Sequence, residues 1–139
     1  MQLFSIRPLR IINHPDGNIL HFLKANDPDF SKFGEVYFSI IKKGSTKGWK
    51  KHTRMTCNIV VISGFVEFIL HDEKTFKRFL IGRNDQSNFQ HALLTIYPGT
   101  WFSFHGLEDS IISNVADIVH DPEESVNVPL SDFSPQFPR

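Results

Sequence analysis

Short apolar runs separated by turn signals recur along this chain, and this pattern constrains its fold more than any other feature. Runs rich in Ile, Val and Phe alternate with Gly, Pro or Asn/Asp clusters, and no longer window keeps a helical period. The strands predicted from this pattern are 10–12, 17–23, 35–41, 48–52, 57–63, 65–71, 75–81, 91–96, 101–106 and 110–116. So many short strands predict an all-β sandwich, barrel or double-sheet jelly roll.

Length and composition predict one domain that ends in a tail. The chain has 139 residues, of which 40% are hydrophobic and 22% charged, as expected for a single globular domain, 1–139. The apolar pattern is lost after Asp121, and Pro129, Pro135 and Pro138 predict that 122–139 is a tail on the surface or on a neighbouring subunit. The 14 Phe residues exceed what one small barrel needs, so we expect some apolar surface to lie between subunits.

Charge and cysteine content argue against several classes of function. The 15 Lys and Arg residues balance the 15 Asp and Glu residues, so the basic excess that favours nucleic-acid binding is missing. The longest apolar run, 58–66, is too short for a membrane-spanning helix. The first residues lack the charged and apolar regions of a secretion signal, so we expect a cytoplasmic protein. A single cysteine, Cys57, excludes an internal disulfide and a multi-thiolate zinc site.

A spaced motif runs from Gly44 to Gly64. Lys50, His52 and Cys57 stand between these glycines at intervals that match the first cupin motif, in which the three positions are His, His and Glu or Gln. Downstream, Tyr97-Pro98-Gly99-Thr100-Trp101-Phe102 resembles the Pro-Gly turn of the second cupin motif, with Phe102 at its His position. The chain therefore resembles a cupin, which implies a double-stranded β-helix, the cupin jelly-roll barrel.

Among cupins, the chain resembles the dTDP-4-dehydrorhamnose 3,5-epimerase-like sugar epimerases and the related dTDP-4-keto-6-deoxyhexose 3,4-ketoisomerases. The similar stretches, in order, are Ser5-Ile6-Arg7-Pro8-Leu9, Phe33-Gly34-Glu35-Val36-Tyr37-Phe38-Ser39, Lys47-Gly48-Trp49-Lys50-Lys51-His52, Pro98-Gly99-Thr100-Trp101-Phe102-Ser103-Phe104 and His120-Asp121-Pro122-Glu123-Glu124. The resemblance implies a homodimeric isomerase that acts on a nucleotide-linked 4-keto-6-deoxyhexose. It also implies a role in surface-polysaccharide synthesis, such as that of the O-antigen of lipopolysaccharide.

The chain departs from the family pattern where the chemistry is expected. Lys50 stands where the family has its catalytic base, and Asn114 lies near the position of the epimerases' Tyr acid. Lys50 and His52 are two residues apart on a strand, so both point to the same face. We therefore predict that proton transfer depends on His52, since imidazole is a common general base, or on Lys50 if its surroundings favour the neutral amine.

The remaining candidate residues are assigned to substrate binding, each with an alternative. The predicted binding residues are Lys47, Tyr37, Cys57, Phe102 and Asn114. The cations of 47–54 are equally typical of a solvated edge strand, and Cys57 is typical of a buried small hydrophobe. Only His52 among the four cupin ligand positions keeps a metal ligand, so we expect no metal and no cofactor. A catalytically silent cupin that binds a sugar nucleotide or a partner enzyme is the alternative function.

Overall fold

Two five-stranded antiparallel sheets make up the body of the protein. The structure is a computed structural model that describes residues 2–135. Its strands are β1 (Phe4–Pro8), β2 (Ile11–Ile12), β3 (Ile19–Leu20), β4 (Glu35–Ile41), β5 (Thr46–His52), β6 (Cys57–Ser63), β7 (Phe65–His71), β8 (Phe76–Gly82), β9 (Ala92–Ile96), β10 (Trp101–Gly106), β11 (Ser110–Ala116) and β12 (Ser125–Asn127). The first sheet has the order β1-β9-β6-β11-β4 and the second β12-β5-β10-β7-β8, while β2 and β3 form a separate ribbon. This arrangement confirms the predicted all-β jelly roll.

The strand predictions agree with the structure in the centre of the chain and differ at its ends. Five strands, β4, β6, β7, β10 and β11, have the predicted bounds. The predicted strand 17–23 is reduced to the two residues of β3, because the following segment leaves the ribbon and packs against the first sheet through Phe22 and Leu23. The apolar pattern indicates neither β1 nor β12. The family resemblance does indicate β1.

The core lies between the facing sides of the two sheets. Alternate residues of β6 and β7 point into it, among them Ile59, Val61, Phe68 and Leu70, as the period of two along a strand requires. Full burial of each such side chain contributes about 1.5–3 kcal/mol of hydrophobic stabilisation. The core therefore holds the two sheets together.

The segment predicted as a tail completes the second sheet. Residues 122–124 form a 3-10 turn, and β12 then pairs with β5, with Ser125 opposite His52 and Asn127 opposite Lys50. A second 3-10 turn at 130–132 precedes Phe133, which packs against Trp49 on the outer side of the sheet. The final residues 136–139, with Pro138, lie outside the described part of the chain.

Candidate active site

One cavity, of about 370 Å³, collects every residue that the sequence analysis selected. Its wall includes Lys47, Lys50 and His52 from β5, Tyr37 from β4, Cys57 from β6, Phe102 from β10 and Asn114 from β11. The volume falls in the range of small-molecule sites. The exposed side chains of Lys47 and Asn127 lie at its edge, and its buried lining combines the apolar Ile59, Phe68 and Phe102 with the polar His52 and Asn114. The structure thus places the seven residues together, while their roles remain predictions.

A bulge in β5 brings Lys47 to the same side as Lys50. Lys47 lies opposite Phe104 and Lys50 opposite Phe102, so three steps along β5 match two steps along β10. In a regular strand, residues three apart point to opposite faces, and the extra residue of a bulge reverses that relation. Gly48 lies in the bulge with φ of 135°, and a Cβ there would be 2.7 Å from the Cβ of Ser103. The close packing of β10 against β5 therefore requires glycine at this position.

His52 and Glu124 form a buried pair beside the cavity. His52 Nδ1 donates a hydrogen bond to Glu124 Oε1, and the two side chains are 8% and 2% exposed. The imidazole also stacks on Phe102, with ring centroids 5.9 Å apart and planes inclined by 20°. Because the carboxylate accepts from Nδ1, the neutral imidazole carries its proton there and leaves Nε2 as a proton acceptor.

The surroundings of Glu124 keep it ionised. Its second oxygen, Oε2, accepts hydrogen bonds from the backbone N–H groups of Thr53, Arg54 and Met55 at 3.2, 3.1 and 3.2 Å. Burial by itself raises the pKa of Glu124, but the hydrogen bonds from His52 and from the backbone outweigh it, and the pKa is lowered from its usual 4.5. A carboxylate held in this way orients the imidazole and stabilises the imidazolium that forms when Nε2 accepts a proton.

Tyr37 and Asn114 form a second polar pair on the opposite wall. Asn114 Nδ2 donates to the Tyr37 hydroxyl at 2.8 Å, and Asn114 Oδ1 accepts from the backbone N–H of Asn58 at 3.0 Å. Since the hydroxyl accepts from Asn114, its own proton is free to be donated. Burial raises the pKa of Tyr37, so the hydroxyl stays protonated at neutral pH. The structure therefore places a protonated hydroxyl on the strand next to Asn114.

Cys57 is inert, as its burial shows. The side chain is 1% exposed, and burial raises the pKa of its thiol to about 12. A thiol becomes a nucleophile through its thiolate, which is negligible at neutral pH when the pKa is this high. This burial favours the alternative of a small buried hydrophobe over a reactive thiol.

Glu124 is the functional candidate that sequence reasoning did not find. It follows Pro122 in a polar segment, where an acidic residue normally faces solvent, and its partner His52 is 72 residues earlier in the chain. The adjacent Asn127 also lines the cavity, through the pairing of β12 with β5. The one available signal was the resemblance of 120–124 to the family stretch that ends in Glu, and this resemblance assigned no role to Glu124.

No group of three or more His, Cys, Asp or Glu residues within 2–135 is arranged so that it could hold a metal ion. Over the same described range, none of the helices is long and apolar enough to cross a membrane.

A jelly roll with a polar cavity inside the mouth of its barrel defines a cupin. No protein-family model and no curated protein matches the chain. Among solved structures, it is 32% identical to a dTDP sugar isomerase from Desulfovibrio desulfuricans G20, over 91% of this chain and 83% of that one, with a TM-score of 0.81. The chain belongs to this family of dTDP-sugar isomerases.

More distant solved structures share the fold. QdtA, a sugar 3,4-ketoisomerase from Thermoanaerobacterium thermosaccharolyticum solved in complex with TDP, is 18% identical over 88% of this chain and 86% of its own, with a TM-score of 0.73. The dTDP-4-dehydrorhamnose 3,5-epimerase from Sulfolobus tokodaii is 17% identical over 98% of this chain and 88% of its own, with a TM-score of 0.75. Ketoisomerases and epimerases are thus both built on this barrel.

Proposed function

We propose that this protein is an isomerase or epimerase that moves a proton next to the ketone of a nucleotide-linked 4-keto-6-deoxyhexose. The observation that carries the proposal is the buried His52–Glu124 pair at a cavity of ligand size. The 32% identity to a dTDP sugar isomerase supports the choice of substrate class. The proton next to a ketone is acidic enough for a positioned imidazole to remove it, which is general base catalysis.

In the proposed reaction, His52 Nε2 takes the proton from a carbon beside the ketone. The enolate that results carries its charge on the ketone oxygen, and the ammonium group of Lys50 in the same wall stabilises it. Glu124 stabilises the imidazolium while the enolate persists. Return of a proton to the other face of the same carbon gives an epimer. Delivery of a proton to the former ketone carbon, with transfer of the hydroxyl proton of the deprotonated carbon to the former ketone oxygen, moves the ketone.

Tyr37 and Lys47 have the remaining roles. The Tyr37 hydroxyl, on the wall opposite β5, supplies the proton when the product forms on that side. Lys47 lies at the mouth, where its Nζ donates to the backbone carbonyl of Ile40 at 2.7 Å and lies 6.0 Å from the centre of the Phe104 ring. A cation at the mouth suits the diphosphate that links nucleotide and sugar.

Solvent deuterium wash-in tests the proposal. The wild-type chain in D2O with dTDP-4-keto-6-deoxyglucose is followed by NMR for loss of the proton signals beside the ketone. His52→Asn, which keeps the size of the side chain, should slow wash-in by about 10² to 10⁴, the range expected for loss of a general base. His120→Asn is the matched control, because His120 is exposed and does not line the cavity.

Two results would decide against the proposal. Binding of the sugar nucleotide without any wash-in by wild type would leave a catalytically silent cupin, the alternative that the replacement of the first motif His by Lys50 favours. Wash-in that persists unchanged in His52→Asn would remove His52 from the base role, and the same assay on Lys50→Ala would then test the other candidate.

The proposal includes a homodimer, supported by an open apolar face on the first sheet. Val36, Phe38 and Ile40 alternate along β4 at 51%, 65% and 66% exposure, and Ile111 of β11 lies opposite Ile40. Exposed apolar residues that adjoin in this way mark protein–protein interfaces. Light scattering should give a dimer for wild type and a monomer for Phe38→Glu, with Ile19→Glu on the β2–β3 ribbon as control. A monomeric wild type would refute the dimer.

The proposed setting is cytoplasmic synthesis of a surface polysaccharide, such as the O-antigen of lipopolysaccharide. It rests on the family resemblance. Genomic neighbours that encode a nucleotide-sugar 4,6-dehydratase and a glycosyltransferase would support it, and neighbours without any enzyme of nucleotide sugars would oppose it.

A further inference from the structure

Lys50 differs in its surroundings from the neighbouring lysines of β5. Its side chain is half-buried and lines the cavity wall. Neighbouring lysines have partners: Lys47 Nζ donates to the Ile40 carbonyl, and Lys51 Nζ lies 4.8 Å from the centre of the Trp101 ring on the other face of β5. Within residues 2–135, Lys50 takes part in no ion pair.

The charges around Lys50 also differ from those around a lysine in an ion pair. No Asp or Glu of the described residues lines the cavity, and the nearby carboxylate of Glu124 is engaged by His52 and by backbone N–H groups. Lysines that act as nucleophiles toward carbonyl groups sit in apolar pockets or next to other cations, without a carboxylate partner. The wall beside Lys50 combines Phe102, which lies opposite it on β10, with the uncharged Asn127, which lies opposite it on β12, and the same cavity holds a second cation, Lys47.

We propose that Lys50, instead of stabilising an enolate as a free ammonium group, forms an imine with the ketone of the substrate and that the proton moves at the stage of this covalent intermediate. The inference rests on the proposed function, which supplies the ketone. The neutral amine adds to the carbonyl carbon to give a carbinolamine. A proton from the cavity then converts the hydroxyl group to water, which leaves as the protonated imine forms, so one C–N bond replaces one C–O bond.

The imine makes the proton on the adjacent carbon more acidic. Its protonated nitrogen draws electrons from that carbon, so His52 Nε2 removes the proton there and an enamine forms. The Tyr37 hydroxyl on the opposite wall then donates a proton to the other face of the same carbon, while the proton taken by His52 passes to solvent and solvent restores the Tyr37 hydroxyl. Water then hydrolyses the imine and restores the ketone and the free amine of Lys50, with no net oxidation or reduction.

The imine route allows epimerisation and excludes transfer of the ketone, the two kinds of reaction named for the solved structures that share this fold. If the ketone moved to the neighbouring carbon during the imine stage, the nitrogen would stay on its original carbon as a secondary amine. Water does not hydrolyse an amine of this kind, so the enzyme would remain alkylated. Imine catalysis by Lys50 is therefore compatible with epimerisation beside the ketone and incompatible with transfer of the ketone between carbons 3 and 4.

Trapping with sodium cyanoborohydride tests the inference. The full chain is incubated with dTDP-4-keto-6-deoxyglucose and the reductant, and the adduct is located by peptide mass spectrometry. We expect a secondary amine on Lys50, its loss in Lys50→Arg and its retention in Lys51→Arg. Arginine keeps the positive charge and forms no such imine, so wash-in of deuterium should fall to background in Lys50→Arg if the role is covalent.

The outcomes separate this inference from the proposed function. Wash-in by wild type with no adduct, or with an adduct spread evenly over many lysines, would refute the imine and leave proton transfer through His52 intact. Full wash-in by Lys50→Arg would also refute it. Because mapping of the wild-type chain needs no variant, the inference stays testable even if Lys50→Arg fails to fold.

Discussion

Replacement of Glu124 by Gln is the sharpest test of the site, because the geometry of the two carboxylate oxygens determines the result. Oε1 accepts from His52 Nδ1, and Oε2 accepts from the backbone N–H groups of Thr53, Arg54 and Met55. An amide has a single acceptor oxygen and an NH2 group that only donates. The oxygen of glutamine can therefore accept either from His52 or from the backbone N–H groups, and its NH2 group then faces the donors on the other side.

The two orientations of the amide have different costs. With its NH2 toward the backbone, three N–H donors lose their carboxylate acceptor, and the one at Met55 is buried, where an unsatisfied group costs about 1–3 kcal/mol. With its oxygen toward the backbone, the NH2 faces His52 Nδ1 and stabilises the tautomer that carries its proton on Nε2, which is no longer a base. The second orientation keeps more hydrogen bonds, so we expect Glu124→Gln to fold with a loss of about 1–3 kcal/mol.

The expected activity follows from the tautomer. Deuterium wash-in into dTDP-4-keto-6-deoxyglucose should fall by about 10² to 10⁴, the contribution of a general base, mainly through kcat and with little change in KM. The matched control is Glu123→Gln, since Glu123 is the exposed neighbour of Glu124. A folded Glu124→Gln variant that exchanges protons at the wild-type rate would refute the role of the pair.

Three further predictions concern stability. The pKa of Cys57 is about 12 in the folded chain and near 9.0 when unfolded, so the unfolded thiol ionises first and the free energy of unfolding falls as pH rises above 9.0. By pH 10.5 wild type should lose about 2 kcal/mol more than Cys57→Ala does, as measured by denaturant unfolding. The lowered pKa of Glu124 adds stability that is present above its usual 4.5 and disappears as pH falls through the folded value, so the difference between wild type and Glu124→Gln should shrink on acidification. Gly48→Ala should cost more than Gly17→Ala. Both glycines have a strongly positive φ, which costs alanine about 1–3 kcal/mol, but only at Gly48 does the new Cβ meet Ser103. Equal melting temperatures for the two variants would contradict the close packing.

The alternation of side chains along strands explains how far the site could be predicted from the sequence. Lys50 and His52 share a face because they are two residues apart, which needs no structure to know. Lys47 is three residues from Lys50, and only the bulge at Gly48 brings it to the cavity side. A bulge depends on how β10 packs against β5, and this non-local contact leaves no periodic signal in the sequence.

The two polar pairs show why the rest could not be predicted. Tyr37 meets Asn114 because β4 and β11 are paired in that register, and His52 meets Glu124 because β12 joins β5. Each pair joins residues more than seventy positions apart. The three-residue strand β12 is too short to show alternation, so the segment with Pro122 and Glu124 has the composition of a tail.

The buried carboxylate of Glu124 is itself an argument for catalysis over silent binding. A protein that only holds an anionic sugar nucleotide benefits from cations such as Lys47 and gains nothing from a negative charge next to its cavity. Taking a carboxylate out of water costs several kcal/mol, which the hydrogen bonds from His52 and the backbone must offset. The arrangement makes physical sense when His52 becomes positively charged during the reaction, because the carboxylate then stabilises a charge that exists only after proton transfer. The His52–Glu124 pair is therefore suited to proton transfer, a step that does not occur in a protein that only binds its ligand.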